Sequence, residues 1–274
     1  MTSTIGVARR SESSLLIAWA KRALLVLGLP IVLIVAWWLA TANSTSFYWP
    51  PLRTILEVFG ATWFEGRMGT DVAPSLVRLG AGYALALVLG VTVGVAVGSS
   101  PTLRAVVEPV LEFFRAIPPP VLVPVLILFA GIGDGMKVLV IVSGAIWPIL
   151  LNTVEGVRSI DEVLRDTARC YRFRRRARLL HLVLRGASPQ IVTGARQALS
   201  IAIILMVISE MFAATNGLGF SIIQFQRSFA IPQMFSGIIL LGLIGVALSL
   251  LFRVVESRAM AWHRGLHHTQ RGGN

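Results

Sequence analysis

The chain has 274 residues, of which 55% are hydrophobic and only 14% are charged, and its mean hydropathy is +0.76. Soluble domains are about one-quarter charged, so this composition excludes an ordinary soluble domain and indicates an integral membrane protein. The formal net charge of +12 could indicate a nucleic-acid-binding surface, but cytoplasmic loops of membrane proteins also collect arginine and lysine, so topology has to be considered first.

The N-terminal region carries four basic residues and then a long uncharged run from Ala23 through Leu52. A cleaved secretory signal has an apolar core of about 7–15 residues. The longer run therefore predicts a retained first span, although Ala40-Thr41-Ala42 mimics a cleavage site. Residues 1–16 are polar and are expected to form a flexible N-terminus.

Six apolar segments predict an all-α integral membrane protein with about six transmembrane helices, because about 20 apolar residues cross the hydrocarbon core as a helix. They place one transmembrane domain over residues 17–256 and a basic tail over residues 257–274. The predicted spans lie near residues 23–42, 79–98, 112–132, 137–156, 191–213 and 234–254.

The third span contains three consecutive prolines, Pro118, Pro119 and Pro120. Proline lacks an amide hydrogen and clashes with the preceding turn, so this triplet cannot lie inside a regular helix. Two interpretations remain open. The helix is broken at membrane depth, where protein or a water-lined cavity must cover the backbone, or it begins after the prolines.

The fifth span has charges at both ends of a short apolar run, Arg196 and Glu210. The distance between them along a helix is about 21 Å at 1.5 Å per residue, less than the hydrocarbon thickness of about 30 Å. The long Arg196 side chain can extend to the cytoplasmic headgroups. The shorter Glu210 side chain is expected to find a polar partner within the bundle, and no catalytic role is assigned to it.

The distribution of basic residues predicts the orientation. With six spans, 19 arginines and lysines fall on the side of the two termini and the loop 157–188, whereas four fall on the other side. Positive residues mark the cytoplasmic side, so both termini and the loop are predicted to be cytoplasmic. The net charge is thus explained by topology, and no nucleic-acid partner is needed.

Recognised nucleotide-binding and catalytic motifs are absent. The chain has only two lysines, Lys21 and Lys137, and neither stands in a phosphate-binding loop, so any ATPase must be another chain. The glycines of the run 131–135 have the wrong spacing for a nucleotide loop and predict a plain turn. His263 and His267 belong to the basic tail, which predicts contact with anionic lipid rather than a metal site. No set of residues supports catalysis, so the chain is not expected to be an enzyme or to bind a metal.

The loop 157–188 carries nine arginines and the only cysteine, Cys170, so no intrachain disulfide is possible. The stretch from Asp161 to Leu184 is free of glycine and proline, and acidic residues precede basic ones, an order that suits a helix dipole. Leu164, Ala168 and Tyr171 recur at helical spacing, and a break is expected near residues 172–174. Two interpretations are equally open: a solvated basic helix near anionic headgroups, or a short helix that docks into a groove of a partner.

Four segments of the chain resemble the permease subunits of bacterial ABC importers, and in particular the nitrate/sulfonate/taurine branch of the binding-protein-dependent inner-membrane components. The similarity runs from about Trp49 to Glu256. The segments are SLVRLGAGYALALVLGVTVGVAVGSS (75–100), FFRAIPPPVLVPVLILFAGIGDGMKV (113–138), PILLNTVEGVRSID (148–161) and EMFAATNGLG (210–219).

The resemblance implies a type I ABC importer permease-like fold with a cytoplasmic coupling-helix loop. In that family the loop carries E-A-A, a later glycine and then L-P, and its helix seats in a cleft of the ATP-hydrolysing partner. The matching positions here read Asp166-Thr167-Ala168, Arg172 for the glycine and Leu184-Arg185 for the L-P. The missing glycine and proline affect the expected turn geometry and are consistent with a dedicated, matched ATPase.

The resulting hypothesis is that this chain forms a solute pathway and does not itself bind a cofactor. The implied partners are two ATPase subunits that hold ATP and magnesium, a second permease copy (identical or homologous), an extracytoplasmic solute-binding protein, and membrane lipid. The alternatives are the membrane component of a vitamin-type importer, which would lack the 113–138 pattern, and a membrane-embedded enzyme. The ATPase-coupling candidates are Asp161, Asp166, Thr167, Ala168, Arg169 and Arg172, and the pore or structural candidates are Pro118, Pro119, Pro120, Arg196, Glu210, Gly217 and Gly219.

Overall fold

The computed structural model describes residues 28–260, and within this range the chain forms helices and turns but no strand. The all-α prediction is confirmed. The predicted flexible N-terminus, His263 and His267 lie outside the described residues. The helices are α1 (Gly28–Thr41), α2 (Leu52–Ser99), α3 (Pro101–Ala116), α4 (Val123–Ala130), α5 (Asp134–Arg158), α6 (Glu162–Cys170), α7 (Arg175–Ala213), α8 (Leu218–Arg227) and α9 (Ile231–Ala259).

Four of these helices, α2, α5, α7 and α9, are long and apolar enough to cross a membrane. The predicted spans 79–98, 137–156, 191–213 and 234–254 each lie within one of them. Helix α2 has 48 residues, about 72 Å at 1.5 Å per residue, so only part of it can lie in the hydrocarbon. Helix α1, as far as the described residues show it, covers Gly28–Thr41 of the predicted first span.

The range 112–132 does not form one helix. Helix α3 ends at Ala116, a 3₁₀ turn spans Pro119–Leu122, and the axes on the two sides are bent by 85°. The prolines cause this break because their rings and missing amide hydrogens interrupt the helical hydrogen bonds. The structure therefore places helix on both sides of the triplet, and α3 and α4 together form a sharply bent helix pair.

The core consists of α2, α5 and α7, packed closely through small residues. Along α2 a residue without a bulky side chain recurs at every fourth position, which keeps these residues on one face. A Cβ atom added at Gly94 would lie 2.6 Å from Thr153 Cβ of α5, and one at Gly194 of α7 would lie 2.5 Å from the Pro148 carbonyl oxygen. Such close backbone approach is how transmembrane helices pack without a hydrophobic driving force between them. The residues of this α2 face are Gly82, Ala86, Gly90, Gly94 and Gly98.

The bundle has two chemically different ends. The basic end is formed by the last turns of α2 and α5, by α6 and by the first turns of α7. The opposite end is formed by the first turn of α5, the last turn of α7 and the start of α8. The sequence-predicted site residues are divided mainly between these two ends.

Candidate functional site

Helix α6 is a short, separately capped helix at the basic end. Its first turn is capped by Asp161, whose carboxylate accepts a hydrogen bond of 2.7 Å from the Val163 amide. This interaction satisfies one of the amide groups that the start of a helix leaves without an intrahelical partner. The other end terminates after only nine residues, at Cys170.

The end of α6 is closed by a left-handed residue, Arg172, with φ of +48°. The Arg172 amide donates to the Arg169 carbonyl at 2.9 Å, and the Phe173 amide donates to the Ala168 carbonyl at 3.1 Å. These two bonds define a Schellman motif, in which glycine usually occupies the left-handed position. The turn expected of the family's glycine is therefore present, but an arginine occupies it.

The exposed face of α6 carries apolar side chains. Val163 is 71% exposed, Leu164 56% and Tyr171 75%, whereas Ala168 is buried against the chain. Of the three residues at helical spacing, Leu164 and Tyr171 are therefore exposed and Ala168 is buried. Apolar groups left uncovered on a charged helix are typical of a protein-contact surface.

Contacts with neighbouring helices hold α6 in place. The Arg165 guanidinium donates to the Val157 carbonyl at the end of α5, where cations also favour the helix dipole. Asp166 and Arg169 form an exposed ion pair of 2.9 Å within α6. The expected L-P position, Leu184-Arg185, lies within the uninterrupted helix α7, directly after a π-helical segment over Arg178–Val183.

The opposite end contains a buried network of charged and polar side chains. Glu210 of α7 is fully buried, and the Arg78 guanidinium of α2 donates to it at 2.7 Å. The Ser75 hydroxyl donates to the same carboxylate at 2.7 Å. Arg78 also donates to Asp134 at 2.8 Å and to the Asn216 side-chain oxygen at 2.6 Å. The expected polar partner of Glu210 within the bundle is thus confirmed, whereas any role in transport stays a prediction.

Gly217 and Gly219 form the turn that encloses Glu210. The Gly219 amide donates to the carboxylate at 2.9 Å. A Cβ at Gly217 would lie 2.5 Å from Glu210 Cδ, and the φ of +124° is one that other residues rarely adopt. A Cβ at Gly219 would lie 2.5 Å from the Val207 carbonyl oxygen. Both glycines are therefore required by the packing around one buried carboxylate.

A second part of the network joins α2 to α8. Asp71 accepts hydrogen bonds from the Gly217 amide at 3.1 Å, the Ser221 hydroxyl at 2.9 Å and Arg67 at 3.2 Å. Arg67 also lies over the Phe225 ring, with its guanidinium carbon 4.8 Å from the ring centroid. These contacts fix the π-helical segment of α2, Trp63–Val72, against α8.

The formal charges of this opposite-end network cancel. Lys137 completes it with an ion pair to Asp134 at 3.3 Å, so three basic and three acidic side chains are present. A self-neutralised network stabilises a conformation, but it offers no excess positive charge to a passing anion. The charged members are Arg67, Arg78, Lys137, Asp71, Asp134 and Glu210.

Arg196 and the prolines belong neither to the residues around α6 at the basic end nor to the network at the opposite end. Arg196 is exposed and pairs with Glu256 of α9, and helical rise separates it from Glu210 by about 21 Å. Pro119 packs against α5, since a Cβ at Gly144 would lie 2.9 Å from the Pro119 ring. Eight residues of this network were not identified from the sequence. A signal was available for those that carry charge, because a charge inside or beside an apolar run needs a partner. The eight residues are Arg67, Asp71, Ser75, Arg78, Asp134, Lys137, Asn216 and Ser221.

Comparisons with known proteins agree with this architecture. Residues 86–260 match the family described as "Binding-protein-dependent transport system inner membrane component". The chain is 31% identical to the taurine transport system permease protein of Escherichia coli, over 89% of this chain and 91% of that one. It is 28% identical to the putative aliphatic sulfonates transport permease protein of Bacillus subtilis, over 89% and 88% of the two chains. It is also 24% identical to the nitrate import permease protein of Synechocystis sp., over 93% and 96%.

Proposed function

The chain belongs to the family of binding-protein-dependent transport system inner membrane components, and from this premise we propose that α6 is the contact through which a separate ATPase moves the membrane helices. The protein is a multi-pass permease subunit of an ATP-binding-cassette importer. The vitamin-importer and enzyme alternatives receive no support from its relatives.

One observation supports the role of α6 above all others. It is a helix of nine residues with its own N-terminal cap and its own Schellman closure, and it exposes Leu164 and Tyr171 beside charged residues. A solvated helix at a lipid surface needs only charge, whereas an apolar group on a rigid, capped helix suits a groove in a protein partner. Asp161, Asp166, Thr167, Ala168, Arg169 and Arg172 form or support this contact.

The contact transmits motion because α6 is tied to the spans. Arg165 binds the end of α5, and α7 begins only a few residues after α6. Closure of two ATPase subunits around ATP and magnesium then displaces α5 and α7 as rigid bodies and switches the bundle between two states. The bent pair of α3 and α4 at Pro118–Pro120 and helix α7 line the solute path, and the opposite-end network holds α2, α5, α7 and α8 together.

The basic end faces the cytoplasm in this proposal. The 19-to-4 distribution of basic residues supports this orientation and places both termini on the same side. A second permease copy completes the pathway. An extracytoplasmic binding protein delivers the solute to the opposite end, where Asp134 is exposed.

The substrate is proposed to be a small anionic or zwitterionic solute. The relatives are named for taurine, aliphatic sulfonates and nitrate, which are all compact and carry an oxyanion group. Because the charges of the opposite-end network cancel, selection of the solute is assigned to the binding protein rather than to this network.

Replacement of residues 165–172 by a Gly/Ser linker tests the proposed role of α6. The expected result is loss of solute-stimulated ATP hydrolysis and of uptake, with normal membrane insertion. The control replaces Arg174, Arg175 and Arg176 by glutamine, which removes the same number of arginines but leaves α6 intact. Retained uptake in the linker variant, or equal loss of uptake in both variants, contradicts the proposal.

A further inference from the structure

A small pocket at the basic end combines arginines with apolar side chains. Its volume is about 130 Å³, and it lies between the ends of α2 and α5, helix α6 and the start of α7. Arginines from two different helices reach it, so it is a product of the fold rather than of one basic run. The lining includes Arg165, Arg169, Arg178, Val157, Leu182 and Val183.

The π-helical segment of α7 shapes this pocket. It spans Arg178–Val183 and contributes three lining residues. In a π-helix, hydrogen bonds join residues five positions apart, so Arg178 and Val183 are brought to about the same side of the helix. An α-helix would turn one of them away. The irregular winding therefore places a cation and an apolar group beside the same small volume.

The pocket has an excess of positive charge, in contrast to the opposite-end network. No aspartate or glutamate is among its lining residues. Arg169 pairs with the exposed Asp166, and Arg165 donates to backbone carbonyls of α5. Within residues 28–260, the Arg178 side chain has no hydrogen bond or ion pair, so its donors are available to a ligand.

The position of the pocket matches the headgroup layer of a membrane. Ser99, the last residue of α2, and Val157, near the end of α5, both line it, and both helices are apolar enough to cross a bilayer. Basic pockets between the cytoplasmic ends of transmembrane helices suit anionic lipid headgroups. The arginine guanidinium forms paired hydrogen bonds with phosphate oxygens, and the apolar lining suits the adjoining glycerol and acyl carbons.

We propose that this pocket binds the phosphate group of an anionic membrane phospholipid. The ligand chemistry is an oxyanion held by arginines, and the apolar lining and the depth favour a lipid over free phosphate. The bound headgroup contacts α5, α6 and α7 together, so lipid composition tunes the position of α6. The pocket shares Arg169 with the proposed ATPase contact, but Arg165 and Arg178 are not assigned to that contact, and the lipid proposal does not rest on it.

The test uses the full-length permease without any ATPase, in nanodiscs of mixed phosphatidylglycerol and phosphatidylcholine. The permease is then released with detergent, and the lipid that remains bound is counted by native mass spectrometry. The wild-type chain is expected to retain phosphatidylglycerol in preference to phosphatidylcholine. Arg178→Gln is expected to reduce this retention about fivefold, whereas Arg178→Lys preserves most of it because the charge remains.

Arg175→Gln is the matched control, since Arg175 lies in the same helix, is exposed and does not line the pocket. Equal loss of phosphatidylglycerol in Arg178→Gln and Arg175→Gln, or equal retention of the two lipids by the wild-type chain, overturns the proposal. Displacement of phosphatidylglycerol by inorganic phosphate assigns the pocket to a free oxyanion and also overturns the lipid assignment. Because no ATPase is present, a failure here is distinguishable from a failure of the α6 contact.

Discussion

Replacement of Arg78 by leucine tests whether the opposite-end network holds the bundle together. The Arg78 side chain is 4% exposed and the Glu210 side chain 0%, with 2.7 Å between guanidinium and carboxylate. Loss of Arg78 leaves the carboxylate of Glu210 buried and without its counter-charge. Such a break costs about 3–5 kcal/mol, because burial of an uncompensated charge is much worse than loss of an exposed pair.

The other contacts of the network bring the expected cost towards the lower part of this range. Glu210 keeps the Ser75 hydroxyl and the Gly219 amide as donors. Asp134 also loses its bond to Arg78, but it is 71% exposed, so this loss adds at most about 1 kcal/mol. We therefore expect Arg78→Leu to lower the free energy of unfolding by about 3–4 kcal/mol.

The assay is equilibrium unfolding in mixed micelles of a mild detergent and dodecyl sulfate, followed by far-ultraviolet circular dichroism. Arg53→Leu is the matched control, because Arg53 forms an exposed ion pair with Glu57, with side chains 78% and 59% exposed. It is expected to cost less than about 1 kcal/mol. The double variant Arg78→Leu/Glu210→Leu should recover part of the loss, since the uncompensated charge is removed. A loss in Arg78→Leu equal to that in Arg53→Leu, or additive losses in the double variant, refutes the reasoning.

Three further substitutions test the local geometry. Arg172→Gly should stabilise the end of α6 by about 1 kcal/mol, since glycine adopts the left-handed conformation without strain; hydrogen exchange of the α6 amides should slow, and faster exchange would contradict this. Gly217→Ala should prevent normal assembly because the added Cβ would meet the Glu210 carboxyl group. Gly242→Ala should not, because there is open space around Gly242. Equal thermal stability of the two variants in detergent would contradict the close packing around Gly217. Asp161→Ala removes the cap of α6 and should cost about 1 kcal/mol, seen as weaker ATPase binding in a pull-down; undiminished binding would show that the cap does not support the contact.

The sequence predicted the features that depend on local chemistry. Three consecutive prolines cannot lie inside a regular helix, so either a break or a helix start at Pro118–Pro120 was predicted. The structure has helix on both sides, with an 85° bend. The separate helix α6 was also expected, because acidic residues precede basic ones without glycine or proline. The direction of the bend was not predictable, because it depends on contacts with other helices rather than on the local sequence.

Features that depend on distant pairing were predictable only in part. Glu210 was expected to have a polar partner, but its partner Arg78 lies 132 positions away in the sequence. Arg78 also stands at the edge of an apolar run, so its side chain could equally have reached the headgroups. The two π-helical segments leave no periodic signal in the sequence. The left-handed Arg172 is the converse case: local preference argues against it, yet the hydrogen bonds of the Schellman motif impose it.

Labelling of Cys170 tests the central claim most directly, because this single cysteine is exposed at the end of α6. A membrane-impermeant maleimide is applied to inside-out vesicles and to intact spheroplasts, with and without excess ATPase in the vesicles. Labelling is expected in inside-out vesicles only, with protection when the ATPase is bound. Labelling from the outer face, or an unchanged labelling rate with saturating ATPase, would contradict the claim that α6 receives the ATPase on the cytoplasmic side.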